Sequence, residues 1–321
     1  NNHVGVPISL ARLPRDAHYG VFEIGMNHPG EIEPLARMAS AHVGLVTNVG
    51  SAHIGHMGSE EAIADEKACL FAGMEQDAVA VLNRDNRHYE RLVANASRFG
   101  VTRIVGFGRS ERADARLVAC TLQDTGSDVV ATLHGRKLEY RLGAPGEHWV
   151  LNSLAALAVV DALGADVAHA AATLASVTAS PDRGARRRLG FGTGSVELLD
   201  ESYNANPASI CAAIDVLSGF AGRRLLVLGD MGELGEWAEE GHREVGAYAR
   251  GKIDALYAVG PLMAHAVAAF GVGARHFADQ ASLIEALRAE QGSATTLLIK
   301  GSRSAAMASC RSSRDGEVTR T

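Results

Sequence analysis

Short apolar runs alternate with amphipathic stretches over the first third of the chain. The runs predict strands at residues 19–24, 42–49, 78–82 and 103–107, and the stretches between them predict helices at 30–40, 59–71 and 86–97. Strands that alternate with helices are typical of a parallel sheet with crossover helices. The pattern therefore predicts an α/β fold for this part.

The pattern changes between residues 115 and 142. Two apolar runs, 117–120 and 129–133, are followed by the turn-forming residues His134-Gly135-Arg136, which favours antiparallel strands. Residues 152–163 are almost uniformly apolar, which predicts a buried helix. The first domain thus combines a parallel and an antiparallel part.

A second series of strands and helices starts near residue 196. Strands are predicted at 196–199, 224–228, 255–259 and 296–299, with helices at 207–217, 236–250 and 281–290. Residues 180–188, rich in Pro, Gly and charge, are the predicted linker. We therefore predict one α/β domain at 1–182, a Rossmann-like domain at 183–307, and a disordered or aberrant tail at 308–321 that lacks apolar periodicity.

Composition excludes several classes of protein. The 321 residues are 47% hydrophobic and 21% charged, with a net charge of −6, so neither a general nucleic-acid surface nor a membrane surface is indicated. No apolar run approaches the roughly 20 residues of a membrane span. The four cysteines form no CxxC pair, which favours reduced thiols and a cytoplasmic protein. An anionic substrate would have to be met by local basic groups.

A group of polar residues, Asp200-Glu201-Ser202-Tyr203-Asn204-Ala205-Asn206-Pro207, lies between a predicted strand and a predicted helix. Asn206 suits a helix cap and Pro207 suits the first helical position. Open α/β sheets bind ligands at such strand exits, although any one of these residues also fits an ordinary capped loop. Together the eight residues resemble the nucleotide-facing loop of the Mur ligases. The resemblance implies nucleotide contacts by Asp200, Tyr203, Asn204 and Asn206.

A second group of candidate residues lies in the first half. Glu23 falls inside a predicted apolar strand, where an unpaired acid is expensive, so it is either paired or bound to a cation. His53 follows the next strand and Lys67 lies on the next helix. Considered alone, His53 is typical of a loop or capping histidine, and Lys67 is typical of a solvated lysine on a helix. The three resemble the Mur ligase magnesium site, which implies that Glu23, His53 and a carbamate on Lys67 bind Mg²⁺. Lys67 would then be catalytic.

Further matches extend the resemblance into both halves. Asn152 corresponds to an amide that faces adenine, whereas Trp149 beside it either stacks or fills core. Arg183 corresponds to a catalytic phosphate contact at the domain junction, the alternative being a solvated arginine in a basic loop. Lys300, Ser302 and Arg303 fall within four residues after an apolar strand, which suits an anionic ligand. The resemblance implies that these three residues contact the substrates, together with Asn1 and Asn2.

The resemblance implies a two-domain, ATP-dependent and Mg²⁺-dependent amide ligase acting through an acyl phosphate. Its implied substrates are UDP-N-acetylmuramoyl-tripeptide and D-alanyl-D-alanine, and a monomer is expected. The motif Gly-x-x-x-x-Gly-Lys-[Ser/Thr], which grips phosphates, does not occur in the 321 residues, so we expect a fragment that is inactive alone. Two alternatives stay open: another amide ligase of the superfamily, such as a folylpolyglutamate synthetase, and a non-catalytic nucleotide-binding fragment.

Overall fold

A computed structural model describes residues 1–123, 125–178, 184–191, 194–289 and 295–307. The chain divides into two compact units, Asn1–Val177 and Thr178–Thr321. The boundary predicted at 182/183 and the tail predicted at 308–321 lie outside the described residues. Each unit is built on its own sheet.

The first unit contains a mixed sheet in the order β1-β2-β3-β4-β5-β6. Strands β1 to β4 pair in parallel, whereas β4, β5 and β6 form an antiparallel meander. The elements are α1 (Gly5–Arg12), α2 (Ile32–Ala39), β1 (Val43–Val46), α3 (Ile54–Met57), α4 (Glu60–Ala68), β2 (Val79–Asn83), α5 (Tyr89–Arg98), β3 (Arg103–Gly108), β4 (Ala115–Gln123), β5 (Gly126–Leu133), β6 (Arg136–Leu142), α6 (Glu147–Ala162) and α7 (Val167–Thr173).

The predicted hairpin and the predicted buried helix are both confirmed. His134 and Gly135 connect β5 to β6 with φ values of 47° and 78°, the left-handed pair that a two-residue hairpin turn requires. Helix α6 packs on the sheet through residues such as Leu154 and Leu157, which are at most 1% exposed. Trp149 was expected either to stack or to fill the core. It is partly buried and packs against this core, which agrees with the second role.

The strand predicted at residues 19–24 is wrong. These residues have no regular secondary structure and pair with no strand of the described sheet, whose edge on this side is β1. Tyr19 is 61% exposed and Val21 is 96% exposed. An apolar run forms a strand only where a neighbouring strand satisfies its backbone groups, and the run itself does not show whether that neighbour is present.

The second unit contains a sheet in the order β11-β10-β9-β12-β8-β7, parallel except for β7 at its edge. Its elements are β7 (Ala185–Phe191), β8 (Gly194–Glu201), α8 (Pro207–Ser218), β9 (Arg223–Gly229), α9 (Ala238–Ala249), β10 (Ala255–Val259), α10 (Met263–Phe270), β11 (Ala274–Phe277), α11 (Gln280–Ala289) and β12 (Thr295–Lys300). All six residues of β12 are buried, as expected for a central strand of a covered parallel sheet.

The linker predicted at 180–188 is wrong over its last part. Residues 185–188 belong to β7, which pairs antiparallel with β8. Arg186 forms an ion pair with Glu197, and its guanidinium lies 4.8 Å from the centre of the Phe220 ring. Charged side chains are common on edge strands, so a basic run does not exclude one.

Within the described residues, no helix is long and apolar enough to cross a membrane.

Candidate functional site

Lys67 lies near the end of α4, whose first turn is capped by the Ser59 hydroxyl accepting from Ala62 N at 3.1 Å. Its side chain is half-buried and makes no ion pair or hydrogen bond with the described residues. Desolvation lowers the pKa of the Lys67 amine. The interpretation of Lys67 as a solvated surface lysine is therefore wrong. A desolvated, half-buried amine without a carboxylate partner among the described residues is suited to reaction in its neutral form.

Glu66, the neighbour of Lys67, fixes α4 against the loop before α2. Its carboxylate is buried and accepts hydrogen bonds from Gly30 N and Ile32 N, both at 2.8 Å. The anion also lies at the N-terminus of α2, where the helix dipole favours negative charge. The position of Lys67 relative to this loop is thus set by a buried contact.

Glu23 does not lie in a buried strand as predicted. Its side chain is 74% exposed and pairs with the α-amino group of Asn1 at 3.5 Å. His53 has a left-handed conformation, with a φ of 66°, and directly precedes α3. In the described part of the chain, no three His, Cys, Asp or Glu side chains form a group that could hold a metal ion. The roles of Glu23 and His53 as metal ligands stay predictions.

The loop at residues 200–207 begins α8 as predicted. Asn206 is the N-cap and Pro207 is the first helical residue. The Asn206 side chain accepts from Ser209 N at 2.9 Å, and the Ser209 hydroxyl accepts from Asn206 N at 3.0 Å. This reciprocal capping box fixes the exit of the loop. Tyr203 and Asn204, at the middle of the loop, are exposed.

The entrance of the same loop is held by buried polar contacts. Asp200 is 1% exposed, and its carboxylate accepts from the Ser202 hydroxyl at 2.7 Å. Lys300, at the end of β12, is 4% exposed and donates to Glu201 Oε2 at 3.2 Å and to Asn204 O at 3.0 Å. Asp200 and Lys300, both predicted to contact ligands, thus stabilise the loop in this structure.

The residues after β12 bind the loop after β9. Ser302 is buried, and its backbone N and its hydroxyl both donate to Asp230 O, at 3.1 and 2.7 Å. Arg303 is exposed, and its guanidinium pairs with no carboxylate among the described residues. Of the three residues predicted to bind an anion here, Arg303 alone presents an available charge.

A cavity of about 310 Å³ lies at the carboxyl ends of β9 to β12. Parallel sheets bind ligands at this edge. Asp279 and Gln280, in and after the short connection from β11 to α11, were not predicted as candidates, because the sequence did not predict β11. The lining residues are Asp230, Val259, Gly260, Asp279, Gln280, Ser304 and Ala305.

The other predicted site residues are placed as follows. Asn152 lies exposed on α6. Asn2 caps the segment leading into α1, its side chain accepting from Val4 N at 3.0 Å, and Asn1 O accepts from Gly25 N at 2.8 Å. Arg183 lies outside the described residues.

Comparison with known proteins gives two family matches. The model of the Mur ligase middle domain matches residues 1–160, and the model described as Mur ligase, glutamate ligase domain matches residues 187–303. The UDP-N-acetylmuramoyl-tripeptide–D-alanyl-D-alanine ligase of Escherichia coli (strain K12) is 36% identical, covering 96% of this chain and 67% of that protein. The chain thus spans about two thirds of the length of the curated relatives it matches.

Solved structures show the same similarity. MurF from Acinetobacter baumannii has a TM-score of 0.90 at 27% identity, covering 99% of this chain and 69% of that chain. MurF ligase from Thermotoga maritima in complex with ADP has a TM-score of 0.82 at 25% identity, with coverages of 97% and 70%. A folylpolyglutamate synthase of Mycobacterium tuberculosis complexed with ADP, at 23% identity, 91% and 68% coverage and a TM-score of 0.67, shares the fold.

Proposed function

The chain belongs to the Mur ligase family, and from this premise we propose that it forms part of an ATP-dependent ligase joining D-alanyl-D-alanine to UDP-N-acetylmuramoyl-tripeptide. The observation that carries the proposal is the 36% identity to the E. coli ligase of that name over nearly the whole chain. The fixed loop at 200–207 and the exposed Arg303 support it, because both lie at strand ends where α/β sheets bind ligands.

We assign nucleotide contacts to Tyr203 and Asn204, which are exposed in the loop at 200–207. The resemblance implies further nucleotide contacts by Asn152 and Arg183. Asp200 and Asn206 support this site indirectly, because their side chains are used to hold the loop in place. The complex of a similar ligase with ADP supports a nucleotide site in this family. Preorganisation of the loop would lower the entropy cost of binding.

Mg²⁺ would be held by Glu23, His53 and a carbamate on Lys67. When bound, the ion neutralises the charge of the transferring phosphoryl group. The observation that supports this metal site is the state of Lys67, a desolvated amine without a partner among the described residues. Such an amine can add carbon dioxide and release a proton, and the carbamate that forms carries an anionic oxygen. Mg²⁺ prefers oxygen ligands, and the carbamate gives the site one more.

The reaction needs two displacements. A carboxylate oxygen of the tripeptide attacks the γ-phosphorus of ATP, ADP leaves, and an acyl phosphate forms. The dipeptide amine then attacks the acyl carbon, phosphate leaves, and the amine loses a proton as the amide forms. Arg303 binds the carboxylate of the incoming dipeptide, and Ser302 and Lys300 hold the backbone that carries Arg303. Holding the amine close to the acyl carbon converts a bimolecular step into an intramolecular one.

The role of Arg303 is tested in the complete gene product that contains this chain. Arg303→Ala is expected to raise the KM for D-alanyl-D-alanine by on the order of 30-fold, the loss of a charged hydrogen bond of about 2 kcal/mol, with little change in the KM for ATP. Arg243→Ala is the matched control, because Arg243 is an exposed arginine on α9 that pairs with Glu240. An unchanged dipeptide KM would refute the role of Arg303. Failure of the unmodified protein to ligate this dipeptide would refute the proposed function.

A further inference from the structure

His242 is a fully buried residue of α9, with 0% of its surface exposed. Both ring nitrogens have partners: Nδ1 lies 2.6 Å from Ala238 O, and Nε2 lies 3.0 Å from Met231 N. A carbonyl only accepts and a backbone N–H only donates. The ring is therefore neutral, with its proton on Nδ1 and its acceptor on Nε2.

Met231 belongs to the loop after β9, which His242 thereby ties to α9. The residue before it, Asp230, accepts through its backbone oxygen from both the N–H and the hydroxyl of Ser302. Arg303 follows Ser302 directly. A continuous set of hydrogen bonds thus leads from a buried histidine to the residue before Arg303.

The Asp230 carboxylate is also held from the other side of this loop. It accepts from Met263 N at 3.0 Å, at the start of α10. Gly260 has a φ of 114°, and a Cβ there would lie 2.4 Å from the carboxylate, so this position accommodates only glycine. Asp230 and Gly260 both line the cavity of about 310 Å³.

We propose that His242 is a positioning residue, which fixes the loop after β9 and, through Asp230 and Ser302, the place of Arg303 and of the cavity wall. The inference rests on the proposed function in that Arg303 is taken to bind the dipeptide. An apolar side chain of similar size would fill the same space, but it would leave Met231 N without an acceptor.

The geometry requires the neutral ring, because a protonated Nε2 would place an N–H against the N–H of Met231. Burial lowers the pKa of His242, and His265 lowers it further, whereas Ala238 O and Asp230 raise it. The charged and titratable groups that face the ring are Asp230, whose Oδ1 is 3.9 Å from Nε2, and His265 on α10, which itself pairs with Glu239. The contact is thus present at neutral pH and is lost when acid protonates the ring.

The kinetic test uses the complete gene product. His242→Leu removes the acceptor and is expected to raise the KM for D-alanyl-D-alanine about tenfold, with a much smaller change in the KM for ATP. His242→Gln, whose amide oxygen can still accept from Met231 N, should restore most of the dipeptide affinity. Val245→Ala, at a fully buried position of the same helix outside these hydrogen bonds, should lower stability without this KM split.

A structural test on the 321-residue chain is independent of activity. In ¹⁵N-labelled protein, a coupling across the hydrogen bond should connect Met231 N with His242 Nε2, and the Met231 amide should exchange much faster in His242→Leu. A ring protonated on Nε2, or equal exchange in both proteins, would overturn the inference. So would an unchanged dipeptide KM in His242→Leu when the unmodified enzyme is active. If the unmodified enzyme does not use this dipeptide, the proposed function is overturned instead. In that case the coupling between Met231 N and His242 Nε2 still shows whether the hydrogen bond is present.

Discussion

Single residues in this protein show how burial decides the role of a charge. Lys67 is half-buried and Lys300 is buried, yet of the two only Lys300 has an acidic partner among the described residues, Glu201. Both lysines were predicted to take part in ligand binding: Lys67 from the resemblance, as a carbamate that binds the metal, and Lys300 because basic residues after an apolar strand suit an anion. Whether the charge is already satisfied depends on residues far away in sequence, such as Glu201, and the local pattern does not contain that information.

The state of Lys67 leads to a prediction. Since its pKa is lowered, a larger share of its amine is neutral at a given pH, and carbamate formation should increase as the pH rises through that lowered pKa. We expect a carbamate carbonyl signal in the ¹³C NMR spectrum of protein equilibrated with ¹³C-bicarbonate. Lys67→Arg should abolish the signal, and Lys252→Arg, at an exposed lysine paired with Asp215, should retain it. A signal that persists in Lys67→Arg would contradict the assignment.

For Lys300, whose charge is paired with Glu201, the prediction concerns the stability of the fold. Lys300→Met leaves Glu201 without its partner and the Asn204 carbonyl without its donor, so it should lower the free energy of unfolding by roughly 2 to 3 kcal/mol. The double variant Lys300→Met with Glu201→Gln should lose less than the sum of the single variants, because the unpaired charge is gone. Urea unfolding measures all three proteins. Strict additivity would show that the two side chains do not interact.

At the scale of elements, the central parallel strands of the second sheet could be predicted and its two edge strands, β7 and β11, could not. Strands β10 and β12 follow from buried apolar runs, and the predicted bounds agree with the structure to within one residue. The edge strand β7 carries Arg186 and was taken for a linker, since an edge strand needs no apolar face of its own. Helix α10 and strand β11, which bring Gly260 and Asp279 to the cavity, were not predicted. Both are short, and their apolar residues show no clear period.

The contact between α9 and α10 depends on one glycine. A Cβ at Gly246 would lie 2.1 Å from Ala266 O, which is backbone, so the helices would have to move apart. We expect Gly246→Ala to lower the free energy of unfolding by about 2 to 4 kcal/mol, despite the higher helix propensity of alanine. Gly219→Ala is the control, because its Cβ would meet nothing closer than 3.4 Å and its backbone is helical. Equal stability of the two variants in thermal unfolding would argue against this close approach.

At the scale of the whole molecule, the protein has two compact units, each with its own hydrophobic core. The two α/β patterns predict two domains with a boundary at 182/183, because each series of strands and helices is long enough to bury a core. The nucleotide site was predicted from the resemblance to use Asn152 of the first unit and Tyr203 and Asn204 of the second.

Calorimetry can test the proposed nucleotide contacts of the second unit. Without nucleotide we expect two unfolding transitions, one for each core. With ADP at about 100 times its dissociation constant, binding at Tyr203 and Asn204 should stabilise the second unit by about 2.7 kcal/mol and raise the midpoint of its transition. Asn204→Ala should weaken this shift. A transition of the second unit that ADP does not move would contradict the proposed contacts.

The place of β12 in the second sheet has a consequence for biosynthesis. It is the last described strand to leave the ribosome, yet it lies between β9 and β8, which pair with it on either side. Until residues 295–300 have been synthesised, β8 and β9 both present open hydrogen-bonding edges, which are templates for aggregation. The first unit can fold during translation, whereas the second must wait for its centre. A premature stop before residue 295 would therefore leave a sheet divided in two, which quality-control proteases would be expected to remove.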